Sequence, residues 1–191
     1  MSKVVIIGNG PAGISAALYT QRANIDTVII GKDNGALEKA HAIENYYGLS
    51  TPLSGNELAT VGILQAKHLG CTIVDDEVMA ISFDGKLRVK TKFSSYSGDV
   101  VIIATGAARG SPNIKGLKAF EGKGVSYCAV CDAFFYRQKD VCVLGNGEYA
   151  LHEAMELLPV VASVTMLTNG LEPTVELPES IKCDKRKITS F

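Results

Sequence analysis

The chain has 191 residues, 47% hydrophobic and 20% charged, with a formal net charge of −1, so it can bury a core and advertises neither nucleic acid nor an anionic membrane as partner. Its longest apolar runs, VVIIATGAA and LLPVVASVTML, fall short of the ~20 residues a membrane span needs, and glycines follow the first apolar run where a signal peptide would continue toward a cleavage site. No membrane span and a cytoplasmic location are therefore expected.

Residues 3–8, KVVIIG, form a β-branched run ending in glycine, and from Pro11 onward Ile14, Ala17 and Leu18 fall at the spacing of one helix face. Strand, tight turn and helix is the expected order, with Pro11 at the first helical position, where a missing N–H costs nothing. DTVIIG supplies a second buried strand and completes a βαβ unit of a parallel sheet. An irregular stretch rich in Gly, Asn and Ser follows, KDNGALEKAHAIENYYGLSTPLSG, and then a helical segment around Leu58 and Val61. Long loops of this kind inside a compact domain are often functional. Asp84–Gly85 marks a hairpin, KLRVKTKF alternates as a half-exposed antiparallel strand does, and DVVIIATG returns to the fully buried type. An antiparallel meander crossing a parallel sheet is the reading. GSPNIKGLKAFEGKG lacks periodicity and is the candidate interdomain connection. Beyond it, KDVCVLGNGEYALHEAMELL repeats strand, Gly-Asn-Gly and helix, with Ala150, Ala154, Leu157 and Leu158 on one face. The expectation is an α/β fold of two Rossmann-like, three-layer ββα dinucleotide-binding domains, residues 1–112 and 113–191.

In the first copy, Gly8, Gly10 and Gly13 make G-x-G-x-x-G directly between strand and helix, the context that gives this pattern its meaning. The first glycine permits the turn, the second lets a pyrophosphate approach the backbone, and the third brings helix and strand together. The helix N-terminus offers unpaired N–H groups to the phosphates. The second copy, GNGEYA, keeps Gly145, Gly147 and Ala150 but places Glu148 where a pyrophosphate would sit. Between Lys139 and Lys182 there is no Lys or Arg, while Asp140, Glu148, Glu153, Glu156, Glu172, Glu176 and Glu179 all fall there. The arginine that a 2′-phosphate site calls for is missing, so NADPH is not expected to bind.

Of five cysteines, Cys71, Cys142 and Cys183 are scattered, and in a reducing compartment such cysteines are expected to be inert buried thiols. Cys128 and Cys131 stand apart as C-x-x-C followed at once by Asp132. Zinc needs four ligands, commonly as two half-sites, and no second C-x-x-C exists, with only three histidines to draw on. A dithiol/disulfide couple fits the spacing, since a turn or helix start brings the two sulfurs together, and Asp132 can serve such a couple as acid or base. A buried structural pair is the remaining alternative.

GNGPAG, AIENYYG, VVIIATGA, CAVCD and GNGEYA, in that order, resemble the low-molecular-weight flavin thioredoxin reductases over the whole chain. The resemblance implies FAD along the first domain, its pyrophosphate at Gly8, Gly10, Pro11, Ala12 and Gly13. Asn45, Ala104, Thr105 and Gly106 would lie near the flavin or its ribityl chain, and Gly31, Lys32, Ala36, Leu37 and Val78 would be further cofactor-binding positions. It implies that Cys131 faces the flavin, that Cys128 attacks the disulfide of thioredoxin, and that Asp132 handles the proton. It implies a homodimer, and a rotation between domains hinged near residues 110–124. Because the determinants for NADPH are absent, the chain is most similar to the ferredoxin-dependent members, with reduced ferredoxin as donor. NADPH-dependent reduction and non-catalytic flavin binding are the alternatives. Family members also continue with a C-terminal segment carrying a Gly-Asp that closes the FAD domain, so this chain is expected to be truncated and its second domain incomplete.

Overall fold

The computed structural model describes residues 2–107 and 112–190. The chain divides into two compact units, Met1–Ile43 with Gly48–Gly110, and Glu44–Tyr47 with Ser111–Phe191.

The first unit is built on four parallel strands in the order β3-β2-β1-β7, where β1 is Lys3–Ile7, β2 Asp26–Gly31, β3 Thr72–Asp75 and β7 Val100–Ile103. Successive side chains of a strand point to opposite faces, and here both faces are covered. Val4, Ile6 and Ile29 turn toward helices α1 (Pro11–Arg22) and α2 (Gly55–His68), meeting Ile14, Ala17 and Ala66. Val5, Ile7, Val28 and Ile30 turn the other way and close over Val89 and Tyr96 of an antiparallel meander, β4 (Val78–Phe83), β5 (Leu87–Thr91) and β6 (Ser95–Gly98). Burial on both faces explains why β1 and β2 read as unbroken apolar runs, while β5 alternates, its Val89 and Thr91 inward and Arg88 and Lys90 outward. These are the three layers of a ββα dinucleotide fold. The expected hairpin is there too, with Gly85 at φ +89° in the turn between β4 and β5.

Helix α2 begins with a capping box: Ser54 Oγ accepts the Glu57 N–H at 3.3 Å and the Glu57 carboxylate accepts the Ser54 N–H at 2.8 Å. The Ser54 bonds hold the Glu57 carboxyl below its ordinary range. The cap is therefore intact above the usual carboxylate pKa and is lost as pH falls through the lowered one. Ser54→Ala should cost about 1 kcal/mol of stability, read in urea unfolding at neutral pH, and the cost should fade in acid as Glu57 protonates in both proteins.

In the second unit β8 (Asp140–Leu144), β9 (Ser163–Leu167) and β10 (Ile181–Asp184) form a parallel sheet in the order β10-β9-β8. Helix α4 (Glu148–Leu157) lies on one face, with Ala150, Ala154 and Leu157 packed on Val164, Met166 and Ile181. The alternation of β8 corrects one expectation: Val141 and Val143 face α4, so Cys142 between them points away and is exposed, as is Cys183, and only Cys71 is buried. Burial of part of the Cys142 side chain, and then the carboxylates of Asp184 and Asp140, push its thiol up. The stretch expected to carry the hinge starts outside the described residues, at Gly110 and Ser111. Further along it, Ile114 and Leu117 are buried and Leu117–Phe120 forms a 3₁₀ helix. Among the described residues, no helix is long and apolar enough to cross a membrane.

Candidate functional site

In the first unit the carboxyl ends of β1, β2 and β7 meet at the glycine loop. Gly8 donates its N–H to the Ile30 carbonyl at 2.7 Å, and Ala104 donates to the Ile7 carbonyl at 2.8 Å. Gly8 sits at φ +112°, and a Cβ there would lie 2.3 Å from the Ala104 carbonyl oxygen, so only glycine fits. At Gly13 a Cβ would fall 1.8 Å from the Gly8 carbonyl oxygen, which is how closely α1 approaches the strand. Gly10, the N-cap of α1, behaves differently: a Cβ there meets nothing within 4 Å. With Pro11 next and no acidic residue in the first turn, free N–H groups at the start of α1 face an open space. That cradle suits the pyrophosphate of FAD.

Of the other expected cofactor positions, Ala104, Thr105 and Gly106 follow β7 beside this loop, and Gly31 ends β2 with the Asn9 side chain against its Cα, leaving 2.3 Å for a Cβ. Lys32 is engaged elsewhere: its Nζ pairs with Glu77 at 2.8 Å, a bond that raises its pKa. Val78, next to Glu77, packs into the meander side of the core. Ala36 and Leu37 lie in the 3₁₀ helix Gly35–Lys39, and the Leu37 carbonyl abuts Gly55, where a Cβ would be 1.8 Å away. Asn45 falls in Glu44–Tyr47, the piece of chain grouped with the second unit.

The second glycine loop is built differently. Thr174 donates its backbone N–H to the Asn146 carbonyl at 2.7 Å, its hydroxyl donates to the same oxygen at 3.1 Å, and Asn146 Nδ2 donates to the Glu172 carbonyl. The space above Gly147 therefore contains Thr174 Oγ1, 3.2 Å from where a Cβ would be, and Glu148 opens the first turn of α4.

Cys128 and Cys131 are joined as a disulfide, with Cα atoms 5.3 Å apart. Cys128 caps a single helical turn, α3 (Ala129–Asp132), and its Sγ accepts the Cys131 N–H at 3.2 Å. Two contacts that sequence reading missed fix this turn. The Ala129 N–H donates to Glu153 Oε2 of α4 at 2.8 Å, tying the disulfide to the second helix of its unit. Ser126 Oγ accepts the Cys128 N–H at 3.1 Å and hydrogen-bonds Asp132 Oδ2. A serine two residues before Cys128 is a local turn signal; Glu153 gives none, because only the fold brings it there. Burial, and secondly the Asp132 carboxylate, push the Tyr136 hydroxyl above its ordinary value. Among the described residues, no group of three or more His, Cys, Asp or Glu side chains could hold a metal ion.

A glycine cradle on a ββα fold, followed by a second dinucleotide-type unit bearing a C-x-x-C disulfide, defines a disulfide protein of the two-dinucleotide-fold class. The chain belongs to the pyridine nucleotide-disulphide oxidoreductase family, whose model matches residues 2–182, and the family is one of FAD-binding flavoproteins. It is 39% identical over 176 residues to a thioredoxin reductase of Buchnera aphidicola, covering 89% of this chain and 54% of that one. A thioredoxin reductase structure from Streptococcus pyogenes matches at 32% identity with a TM-score of 0.81, over 95% of this chain and 62% of that one. The atypical thioredoxin reductase TRi from Desulfovibrio vulgaris Hildenborough matches at 38% identity with a TM-score of 0.53, over 100% of this chain and 67% of that one. The chain spans about half the length of the curated relatives it matches.

Proposed function

We propose that the chain carries the flavin-binding and redox-disulfide parts of a thioredoxin-disulfide reductase whose electron donor is reduced ferredoxin, residues 1–112 binding FAD and 113–191 presenting the disulfide. The disulfide at Cys128–Cys131, on a chain of this family, is the observation that carries the reading. FAD, when bound, supplies the electron pair that reduces a disulfide. The chain's own residues do the rest: Gly8, Gly10, Pro11, Ala12 and Gly13 hold the pyrophosphate, Cys131 faces the flavin, Cys128 attacks thioredoxin, and Asp132 takes and gives the proton. In this reading the protein works in the cytoplasm, as the homodimer that the resemblance implies.

The donor rests on the contrast between the two glycine loops. The space over Gly10 is open, whereas Thr174 Oγ1 lies 3.2 Å from where a Cβ on Gly147 would be and Glu148, which repels a phosphate, begins the helix. Anaerobic titration with NADPH, NADH and reduced ferredoxin, following flavin absorbance with oxidised thioredoxin present, tests it. Ferredoxin should bleach the flavin and drive turnover. Bleaching and turnover with NADPH at ordinary concentrations would falsify the donor assignment.

A further inference from the structure

Ser126 has more polar neighbours than one hydroxyl can serve as donor. It accepts the Cys128 N–H at 3.1 Å, its Oγ lies 3.3 Å from the Cys128 carbonyl oxygen, and it bonds Asp132 Oδ2. A hydroxyl has one hydrogen and two lone pairs. With Asp132 ionised, that hydrogen goes to Oδ2. With Asp132 protonated, the carboxyl O–H donates to Ser126 Oγ, and the serine hydrogen turns to the Cys128 carbonyl. The same heavy atoms therefore satisfy Asp132 in both protonation states, and the amide bond keeps Ser126 fixed relative to Cys128 throughout.

From this geometry we infer that Ser126 is a positioning residue for Asp132 in thiol–disulfide exchange at Cys128–Cys131, an inference that rests on the redox reading of this pair. In the exchange, the Cys128 thiolate attacks a substrate disulfide, forming a mixed disulfide and releasing the substrate's first sulfur as thiolate. The Cys131 thiol gives its proton to the Asp132 carboxylate and attacks Cys128 Sγ. The Cys128–Cys131 bond forms, the mixed disulfide breaks, and the second substrate sulfur leaves; the proton on Asp132 passes to a departing thiolate. Two electrons leave the dithiol and two reduce the substrate. Ser126 holds the carboxyl in one place on the turn that carries the pair while its proton comes and goes.

The test uses the dithiol form of the full chain in a Cys142→Ser/Cys183→Ser background, because both of those thiols are exposed. Reduced protein, freed of reductant, is mixed with oxidised thioredoxin or with 5,5′-dithiobis(2-nitrobenzoate), and return of the Cys128–Cys131 disulfide is timed by mass spectrometry. Ser126→Ala should slow it about tenfold, a part of the 10²–10⁴ that a placed acid or base supplies. Ser126→Thr, which keeps the hydroxyl at an exposed position, should stay within about twofold of wild type. Ser126→Ala/Asp132→Asn should be no slower than Asp132→Asn, as expected of two residues acting through one step. A Ser126→Ala rate equal to wild type, a Ser126→Thr rate as low as Ser126→Ala, or a double variant slowed by the product of the single effects overturns the inference. Wild type that reduces the small disulfide but not thioredoxin sinks the functional reading alone, since the Ser126 comparison still reads on the small disulfide.

Discussion

Gly13→Ala will destabilise the first unit by about 1–3 kcal/mol and leave the purified chain without flavin, whereas Gly10→Ala will unfold at the wild-type urea midpoint and still bind FAD more weakly. The difference follows from what each new methyl meets. At Gly13 it would sit 1.8 Å from the Gly8 carbonyl oxygen and 2.9 Å from its carbon, backbone atoms of a residue held by its N–H bond to the Ile30 carbonyl. Nothing there can swing aside, so α1 must move off the sheet and the cradle opens. Gly10 has φ −73°, which alanine adopts freely, and no protein atom near its missing side chain. Its methyl enters only the space a pyrophosphate would fill. Losing one charge-assisted hydrogen bond there, worth about 1.5–3 kcal/mol, weakens FAD roughly 10- to 100-fold. Flavin absorbance per chain and a urea titration read both quantities. A Gly10→Ala protein as yellow as wild type would remove the loop from the list of phosphate-binding elements.

The order of elements was legible in the sequence because each carries its own local signal. Lys3–Ile7 and Asp26–Gly31 are apolar at every inner position since helices and meander cover both faces, and Pro11 and the spaced glycines mark the turn into α1. The disulfide was legible from its spacing. What escaped reading was set by topology. Alternation along β8 says that Cys142 and Val143 face opposite ways, but not that α4 covers the valine's side. Nor does composition show that Lys32 is claimed by Glu77, that Thr174 occupies the second glycine loop, or that Glu153 reaches Ala129 from another element. Each of these joins residues far apart in the chain, through contacts that only the packed sheet and helices define. The acidic character of residues 140–179 can be read from the sequence, whereas the place of Thr174 Oγ1 over Gly147 cannot.

On the roles proposed for the two sulfurs, Cys131→Ser will capture a thioredoxin lacking its second cysteine as a stable mixed disulfide, and Cys128→Ser will not; either change should lower turnover by roughly 10³-fold or more, the scale of losing a nucleophile. The asymmetry rests on how the turn presents its sulfurs. The Cys131 amide N–H points at Cys128 Sγ at 3.2 Å, so a donor awaits negative charge on that sulfur when the pair is reduced. Cys128 is also gripped from both sides of its turn, by Ser126 at its own amide and by Glu153 at the next one, which suits the attacking role proposed for it. Once it has attacked a thioredoxin whose second cysteine is replaced by serine, only a thiol at position 131 can resolve the adduct, because a serine hydroxyl cannot displace the partner's sulfur. Non-reducing electrophoresis of each reduced variant mixed with a thioredoxin whose second cysteine is serine and whose first is activated as its mixed disulfide with 5-thio-2-nitrobenzoate, repeated with dithiothreitol, reads the outcome. An adduct on Cys128→Ser with none on Cys131→Ser would exchange the two roles, and with them the assignment of which sulfur meets the flavin.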